Sequence, residues 1–256
     1  MLDFGYYNMD CMDGMKEFPD KYFDLAVVDP PYGSGFTEGG GCAGWFEKYK
    51  PTQNSGGGGY WNRFGQRFDR YKIQGTPRTG CEKGKSLPNG GACTEETTKK
   101  IIAWDVAPKQ EYFKELFRIS RNQVIWGGNY FELPPTRCFL IWRKTNVPHD
   151  FSMAMCEYAW TSFNLNAKVF EMSAVGQQGR FHPTQKPVAL YKWILSNYAK
   201  DGDKILDTHV GSASSLIACE DMGFKYVGFE IDEEYYRLGT ERLNTHKAQI
   251  SIMEFL

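Results

Sequence analysis

The sequence predicts an α/β protein whose twisted, mostly parallel sheet has an antiparallel strand pair at one edge and helices on both faces. Three observations support this. The run LAVVDPP at 25–31 is typical of a buried strand that stops abruptly, because proline excludes helix before it and cannot donate to a sheet. The stretch 204–230 has the pattern strand, helix, strand. Segments 138–142 and 153–160, separated by a polar loop, alternate like paired strands.

The remaining elements follow from hydrophobic periodicity along the chain. The segment at 109–119 places Tyr112, Leu116 and Ile119 on one helical face, which predicts packing against the core. At 256 residues the simplest organisation is a single domain, 1–256, with an insertion. Further predicted elements are strands at 4–8 and 122–126 and helices after Val188 and over 232–244; the segment 163–180 is polar and irregular.

Composition restricts the class of protein. Seven scattered cysteines without paired metal-ligand spacing indicate a reducing compartment, with neither a disulfide framework nor a metal site. The chain has no bilayer-spanning apolar run and no signal peptide at Met1, so we expect a soluble, cytoplasmic protein. A net charge of -1 is not typical of a general polyanion binder. Any nucleic-acid-binding charge must therefore be local.

The positive charge is concentrated in a glycine-rich insertion at 36–100. This segment holds 11 Lys and Arg against 6 Asp and Glu, so its net charge is +5 while the rest of the chain carries -6. Basic side chains suit phosphates, aromatic faces suit unstacked bases and glycines suit a loop that closes over DNA. A solvated loop with aromatics packed on the domain is the alternative. The candidate nucleic-acid-binding residues here are Arg63, Arg67, Arg70 and Lys72.

The end of the strand at 25–28 carries chemistry suited to a planar exocyclic amine. The carboxylate of Asp29 and the carbonyl of Pro30 can accept its two N–H groups, Pro31 is a rigid spacer, and Tyr32 can stack on the ring that carries the amine. Such an amine is a poor nucleophile because its lone pair is delocalised. Two acceptors that favour a tetrahedral nitrogen would release the lone pair and stabilise the transition state.

DPPY after an apolar strand resembles motif IV of the S-adenosylmethionine-dependent DNA amino-methyltransferases, which make N6-methyladenine or N4-methylcytosine. The resemblance implies a Rossmann-like methyltransferase fold, S-adenosyl-L-methionine as cofactor, and DNA methylation of the restriction-modification kind. It makes Asp29, Pro30, Pro31 and Tyr32 catalytic, with Asp29 also near the cofactor. No metal is needed, because the sulfonium carries its own leaving group.

Other segments resemble further motifs of that family. YNMDCMDG is similar to motif III, HPTQKPV to motif X, DTHVGSAS to motif I, and the stretch with Tyr158 and Trp160 to motif VIII, where an aromatic ring can stack on the target base. Thr208, His209 and Ala213 depart from the usual motif I pattern. The cofactor-binding residues that the resemblance implies are Asp10, Cys11, Asp29, Thr184, Gln185, Lys186, Asp207, His209, Gly211, Ser212 and Glu230.

Local alternatives remain for several of these residues. Asp10 is also a good helix N-cap, residues 184–186 could cap the following helix, and the aromatics at 158 and 160 could serve sheet packing. The unit at 204–230 also suits a nicotinamide cofactor, although the G-x-G-x-x-G fingerprint is absent.

The catalytic motif precedes the cofactor motif, which makes the motif order circularly permuted, as in the β subclass of this family. The N-terminal acid-proline edge and the C-terminal nucleoside pocket must then fold into one cleft. The expected reaction is methyl transfer to the N6 amine of a flipped adenine in double-stranded DNA, because DPPY accompanies adenine enzymes more often than cytosine ones. N4-cytosine methylation, a catalytically silent nucleic-acid-binding subunit, and methylation of RNA or protein glutamine are the alternatives.

The segment 163–180 is a short candidate recognition region, and a homodimer or a separate recognition subunit stays open.

Overall fold

The computed structural model describes residues 1–33, 60–61, 67–68, 105–147, 154–173, 181–182 and 184–254. The chain divides into two compact units: Met1–Ser34 with Trp104–Leu256, and Gly35–Ala103. In the smaller unit the described residues form two short antiparallel strands, β3 (Tyr60–Trp61) and β4 (Arg67–Phe68). The rest of the predicted insertion lies outside the described residues.

The larger unit alternates strands and helices in the order expected of an α/β protein. The elements of this unit in chain order are β1 (Gly5–Asn8), α1 (Cys11–Lys16), β2 (Phe23–Val28), α2 (Gln110–Ile119), β5 (Ser120–Trp126), β6 (Phe139–Lys144), β7 (Cys156–Thr161), β8 (Lys168–Met172), α3 (Val188–Tyr198), β9 (Lys204–Asp207), α4 (Ser214–Met222), β10 (Lys225–Glu230) and α5 (Glu233–Glu254). A 3-10 turn, Gly128–Tyr130, follows β5.

These strands form one eight-stranded sheet in the order β1-β10-β9-β2-β5-β7-β6-β8. The first five are parallel, and β7 runs antiparallel to both β5 and β6. The predicted mostly parallel sheet with an antiparallel pair is therefore confirmed. Among the described residues no helix combines the length and apolar character needed to cross a bilayer.

One prediction about the sheet is wrong. The segment 163–180 was expected to be irregular, but Lys168–Met172 forms the edge strand β8, which pairs parallel with β6. Only Phe170 and Met172 of this strand turn toward the core side, and Phe170 packs on Trp193 at 5.4 Å between ring centroids. Val169 is 57% exposed although it is apolar, so the order of apolar residues in this edge strand does not follow an alternating buried and exposed pattern.

Helices cover both faces of the sheet, as predicted. On one face, α3 and α4 pack on side chains such as Leu140, Trp142 and Ile205. On the other, α1 and α2 pack on Phe23, Val28 and Phe229. The predicted apolar face of α2 is confirmed, since Tyr112, Leu116 and Ile119 are all buried.

The order of the strands brings the two ends of the chain together. β2, from the N-terminal part, pairs with β9, from the C-terminal part, through Leu25 opposite Ile205 and Ala26 opposite Leu206. From this junction the sheet grows through β10 and β1 in one direction and through β5 in the other. Such a switch point, at the carboxyl ends of parallel strands, is where open α/β sheets bind ligands.

Candidate functional site

The carboxylate of Asp29, just after β2, is held by two side chains from distant parts of the sequence. The hydroxyl of Tyr32 donates to Asp29 Oδ1 at 2.7 Å, and the ammonium of Lys186 donates to Oδ2. The Asp29 side chain is 13% exposed. Each carboxylate oxygen has a second lone pair. Asp29 is therefore oriented by the protein while it keeps the capacity to accept an N–H group.

The ring of Tyr32 lies in an aromatic slot behind Asp29. It stacks on Tyr130 at 5.0 Å between centroids and 15° between planes, and its edge meets Phe131. Gly127, with φ of +67°, lies so close that an added Cβ would come within 2.2 Å of the ring. Burial, then the charge of Asp29, raises the pKa of the Tyr32 phenol well above its usual value, so the phenol stays a neutral donor.

Stacking of Tyr32 on the target base stays a prediction. In the structure, this ring stacks on Tyr130. Tyr130 and Gly127 were not identified from the sequence. The Gly-Gly-Asn-Tyr segment after β5 has the composition of an ordinary turn, and its proximity to Tyr32 comes from strand pairing between β2 and β5.

The ammonium of Lys186 lies between two carboxylates in this site. Nζ lies 3.2 Å from Glu157 Oε2 in addition to its bond with Asp29, and Glu157 also pairs with Lys144 at 2.7 Å. Burial opposes the charge of Lys186, but the two carboxylates outweigh burial and raise its pKa. Glu157, on β7, was missed because one acid in an alternating strand is usually solvent-exposed.

The turn after β9 forms the other side of the switch point. Asp207 is buried at the strand end, where its carboxylate accepts from the Ser215 hydroxyl and from the backbone N–H of His209 at 3.0 Å. Burial raises the pKa of Asp207 to about 7 and lowers that of His209 to about 4. Ser212 turns its hydroxyl to Ser214 at 3.1 Å. Asp207 therefore stabilises the turn through hydrogen bonds to Ser215 and to the backbone of His209.

Glu230, at the end of β10, closes the same turn. Its Oε2 accepts the backbone N–H of Gly211 at 2.8 Å and its Oε1 accepts that of Asp232 at 2.9 Å. Gly211 has φ of +53°, and a Cβ there would approach the His182 ring at 3.3 Å. Burial raises the pKa of Glu230. The second lone pairs of this fixed carboxylate are suited to a pair of ribose hydroxyls.

A cavity of about 410 Å³ lies between the two halves of the switch point. Its walls come from α1 (Cys11, Met12), the β2 edge (Pro31), the α2 segment (Pro108, Tyr112) and the β9 turn (His209). This volume falls within the usual range for small-molecule sites, and the walls are mostly apolar. The cavity wall at His209 belongs to the same turn whose Gly211 is held by Glu230. The size and apolar character of the cavity fit a small-molecule cofactor.

Asp10 and Cys11 occupy the start of α1. Asp10 Oδ1 accepts the backbone N–H of Met12 at 2.8 Å, which is the N-cap arrangement that was the alternative interpretation. Cys11 lines the cavity, and burial raises the pKa of its thiol to about 12, so it is a neutral wall. Contact of either residue with a cofactor stays a prediction.

Comparison with known proteins identifies the family of this chain. Residues 95–241, more than half of the chain, match the family model N6_N4_Mtase, described as DNA methylase. Type II methyltransferase M2.LlaDCHI of Lactococcus lactis subsp. cremoris is 36% identical over 251 residues, covering 90% of this chain and 85% of that protein. The chain belongs to the DNA methylase family.

Two further similarities extend over nearly the whole DNA methylase. Type II methyltransferase M2.MboI of Moraxella bovis is 24% identical over 254 residues, covering 94% of this chain and 87% of that protein. The solved structure of PvuII DNA methyltransferase (cytosine-N4-specific) superposes with a TM-score of 0.52 at 10% identity, covering 98% of this chain and 93% of that one. The latter shows the fold, which is the Rossmann-like fold of S-adenosylmethionine-dependent DNA amino-methyltransferases.

The remaining predicted site residues of this DNA methylase lie at the margins of the described site. Thr184 is exposed, with its hydroxyl 3.2 Å from His182 Nδ1, and Gln185 is buried beside Lys186. Tyr158 stacks on Phe139 at 5.6 Å, on the sheet face opposite Glu157. Its neighbour Trp160 is buried and donates to the carbonyl of Pro134, so for Trp160 the packing alternative is confirmed.

Of the four candidate nucleic-acid-binding residues in the insertion, Arg67 lies in β4. The other three, Arg63, Arg70 and Lys72, lie outside the described residues.

Proposed function

We propose that this DNA methylase transfers the methyl group of S-adenosylmethionine to the exocyclic N6 amine of an adenine in double-stranded DNA. The observation that carries the proposal is the pairing of β2 with β9, which puts the Asp29-Pro30-Pro31-Tyr32 edge next to the Asp207-to-Glu230 pocket. Donor and acceptor groups can then meet in one cleft, as in-line transfer requires.

The residues of the chain act on the amine. When bound, the cofactor supplies an electrophilic methyl carbon on a sulfonium leaving group. Asp29 and the carbonyl of Pro30 accept the two N–H bonds and favour a tetrahedral nitrogen, which directs its lone pair toward the methyl carbon. Tyr32 and Lys186 hold the Asp29 carboxylate in place meanwhile. The methylated nitrogen would release its proton to Asp29, which already accepts one of its N–H groups in this proposal.

A base inside a duplex cannot reach this edge, so the target adenine must leave the stack. The flipped base would enter beside Pro31 and Tyr32. The basic insertion would hold the backbone through Arg63, Arg67, Arg70 and Lys72, since its charge is opposite to that of the rest of the chain. Replacing these four residues with Gln should reduce the slope of log affinity against log salt by about 0.9 for each lost phosphate contact. An unchanged slope would contradict that role.

Asp29→Ala tests the mechanism. We expect methyl transfer to DNA to be abolished while S-adenosylmethionine binding stays measurable by calorimetry, because the fold and the pocket at 207–230 remain. Asp20→Ala is the matched control, since Asp20 is an exposed acid whose bond to Arg118 is of the weak surface type. Normal turnover by purified Asp29→Ala protein would refute the assignment.

Adenine is favoured by the DPPY resemblance, and N4-cytosine is the alternative. Mass spectrometry of nucleosides from digested, treated DNA separates the two, because N6-methyladenine and N4-methylcytosine have different masses. Offering RNA and protein in the same labelled-methyl assay tests the substrate class. Label that appears only in RNA or protein would overturn DNA as the substrate.

A further inference from the structure

Lys186 is the most enclosed charged group at the catalytic edge. Its side chain is 3% exposed, and Nζ reaches Asp29 Oδ2, Glu157 Oε2 at 3.2 Å and Tyr32 Oη at 3.4 Å. Burying an ammonium is costly unless it is paired and hydrogen-bonded. Two carboxylates and a phenol provide that compensation. The ammonium is therefore a buried and fully paired part of the site and not a surface charge.

Aromatic rings fix where the ammonium can lie. Nζ is 5.3 Å from the ring centroid of fully buried Trp126 and 5.9 Å from that of Tyr32, both within the range of cation–π attraction. The next residue, Pro187, is the N-cap of α3 and has restricted backbone freedom. The backbone of Lys186 is therefore restricted by the proline that follows it.

The charges continue in alternating sign behind Lys186. Glu157 pairs with Lys144 at 2.7 Å, so the ion pairs connect Asp29 to Lys186, Lys186 to Glu157, and Glu157 to Lys144. Although burial opposes it, the two lysines lower the pKa of Glu157. Glu157 stays ionised and in turn anchors the ammonium. The four residues come from β2, the segment before α3, β7 and β6, so the network connects four separate elements.

We infer that Lys186 is a positioning residue that holds the Asp29 carboxylate in its amine-accepting orientation, with Glu157 and Lys144 as its anchor. The inference rests on the proposed function, because Asp29 must accept the amine for its orientation to matter. Lys186 takes one lone pair of Oδ2 and Tyr32 one of Oδ1, which leaves the others free for the substrate. Without Lys186, Oδ2 of Asp29 loses its hydrogen-bond partner, and the carboxylate is free to turn away from the amine.

This role differs in a measurable way from the cofactor contact that the family resemblance implies for residue 186. A cofactor contact lowers the affinity for S-adenosylmethionine when it is removed. A positioning residue for Asp29 lowers the rate of methyl transfer at saturating cofactor and leaves that affinity nearly unchanged.

The test compares Lys186→Met, Lys186→Arg and Glu157→Gln with the control Lys192→Met. Lys192 pairs with Asp221 away from the catalytic edge. We expect Lys186→Met to lower the single-turnover methylation rate on the order of 100-fold, the scale set by misplaced catalytic groups. Calorimetry should show cofactor affinity within about threefold of the parent, since no binding group is lost. Lys186→Arg should recover part of the rate because it restores the positive charge, and Lys192→Met should match the parent.

Further outcomes decide the matter even where a variant folds poorly. Circular dichroism shows whether each variant folds. If Lys186→Met does not fold, Glu157→Gln is the test variant. A normal methylation rate in Glu157→Gln would overturn the anchor role of Glu157. Loss of activity in Lys186→Met that saturating cofactor restores would overturn the inference in favour of a cofactor contact.

A measurement without turnover separates this inference from the proposed function. The ¹⁵N signal of the Lys186 ammonium should shift in Asp29→Asn and stay unchanged in Asp20→Asn, whether or not the protein methylates DNA. A parent protein that methylates no DNA refutes the proposed function, and the ammonium signal still decides the contact between Lys186 and Asp29. An unmoved signal in Asp29→Asn overturns the inference.

Discussion

Gly127→Ala should damage catalysis through the ring of Tyr32. Alanine at φ of +67° costs about 1–2 kcal/mol in the left-handed region. The new Cβ would also lie 2.2 Å from the Tyr32 ring, whereas ordinary contact begins at 3.4 Å. The ring must therefore retreat by about 1 Å, and displacements of this size at an active site cost roughly 100-fold in rate. We expect a loss of that order.

Gly223→Ala is the matched control. Gly223 ends α4 with φ of +73° and has nothing within 4 Å of an added Cβ. Both variants bear the left-handed cost, so both should lose about 2–4 °C in Tm per kcal/mol. Only Gly127→Ala should also lose single-turnover methylation, measured with a DNA duplex at saturating S-adenosylmethionine.

A double variant identifies the cause. In a Tyr32→Ala background no ring remains to be displaced, so adding Gly127→Ala should lower the residual rate no further. Parent-like turnover by folded Gly127→Ala protein, or the same loss in Gly223→Ala, would refute the proposed dependence of catalysis on the position of Tyr32.

Two further predictions concern stability. Asp207 holds an extra proton in the folded state between its usual pKa of 3.8 and about 7, which makes the free energy of unfolding fall with pH; His209, depressed from 6.5 to about 4, makes it rise. Urea denaturation of the cofactor-free protein should show the two slopes nearly cancelling from pH 4 to 6.5. In Asp207→Asn the free energy of unfolding should rise with pH, and in His209→Asn it should fall with pH, each by up to about 1.4 kcal/mol per pH unit. Parallel curves for the two variants would contradict this prediction. Gly14→Ala should destabilise the protein by about 1–3 kcal/mol in urea unfolding, since its Cβ would lie 2.4 Å from the buried ring of Phe229, whereas helix propensity alone predicts stabilisation by about 1 kcal/mol.

Much of the larger unit could be predicted from the sequence because its strands and helices carry strong periodic patterns. LAVV before Asp29 is buried on both faces of the sheet, and α2 buries one apolar face. β8 was missed for the opposite reason, since its exposed edge position imposes little pattern. Asp10 shows a different limit. An acid after a strand suits both a cap and a ligand contact, and the capping hydrogen bond to Met12 is visible only in the structure.

The sequence by itself determined the family, the candidate acid-proline edge and the carboxylate that ends β10, because each depends on residue types at short, fixed spacings. Only the tertiary structure decided that Lys186 and Glu157 surround Asp29, and that Gly127 and Tyr130 enclose Tyr32. These contacts join residues as many as 157 positions apart. They arise from the order in which strands pair across the sheet, and local sequence contains no record of which distant side chains that order will bring together.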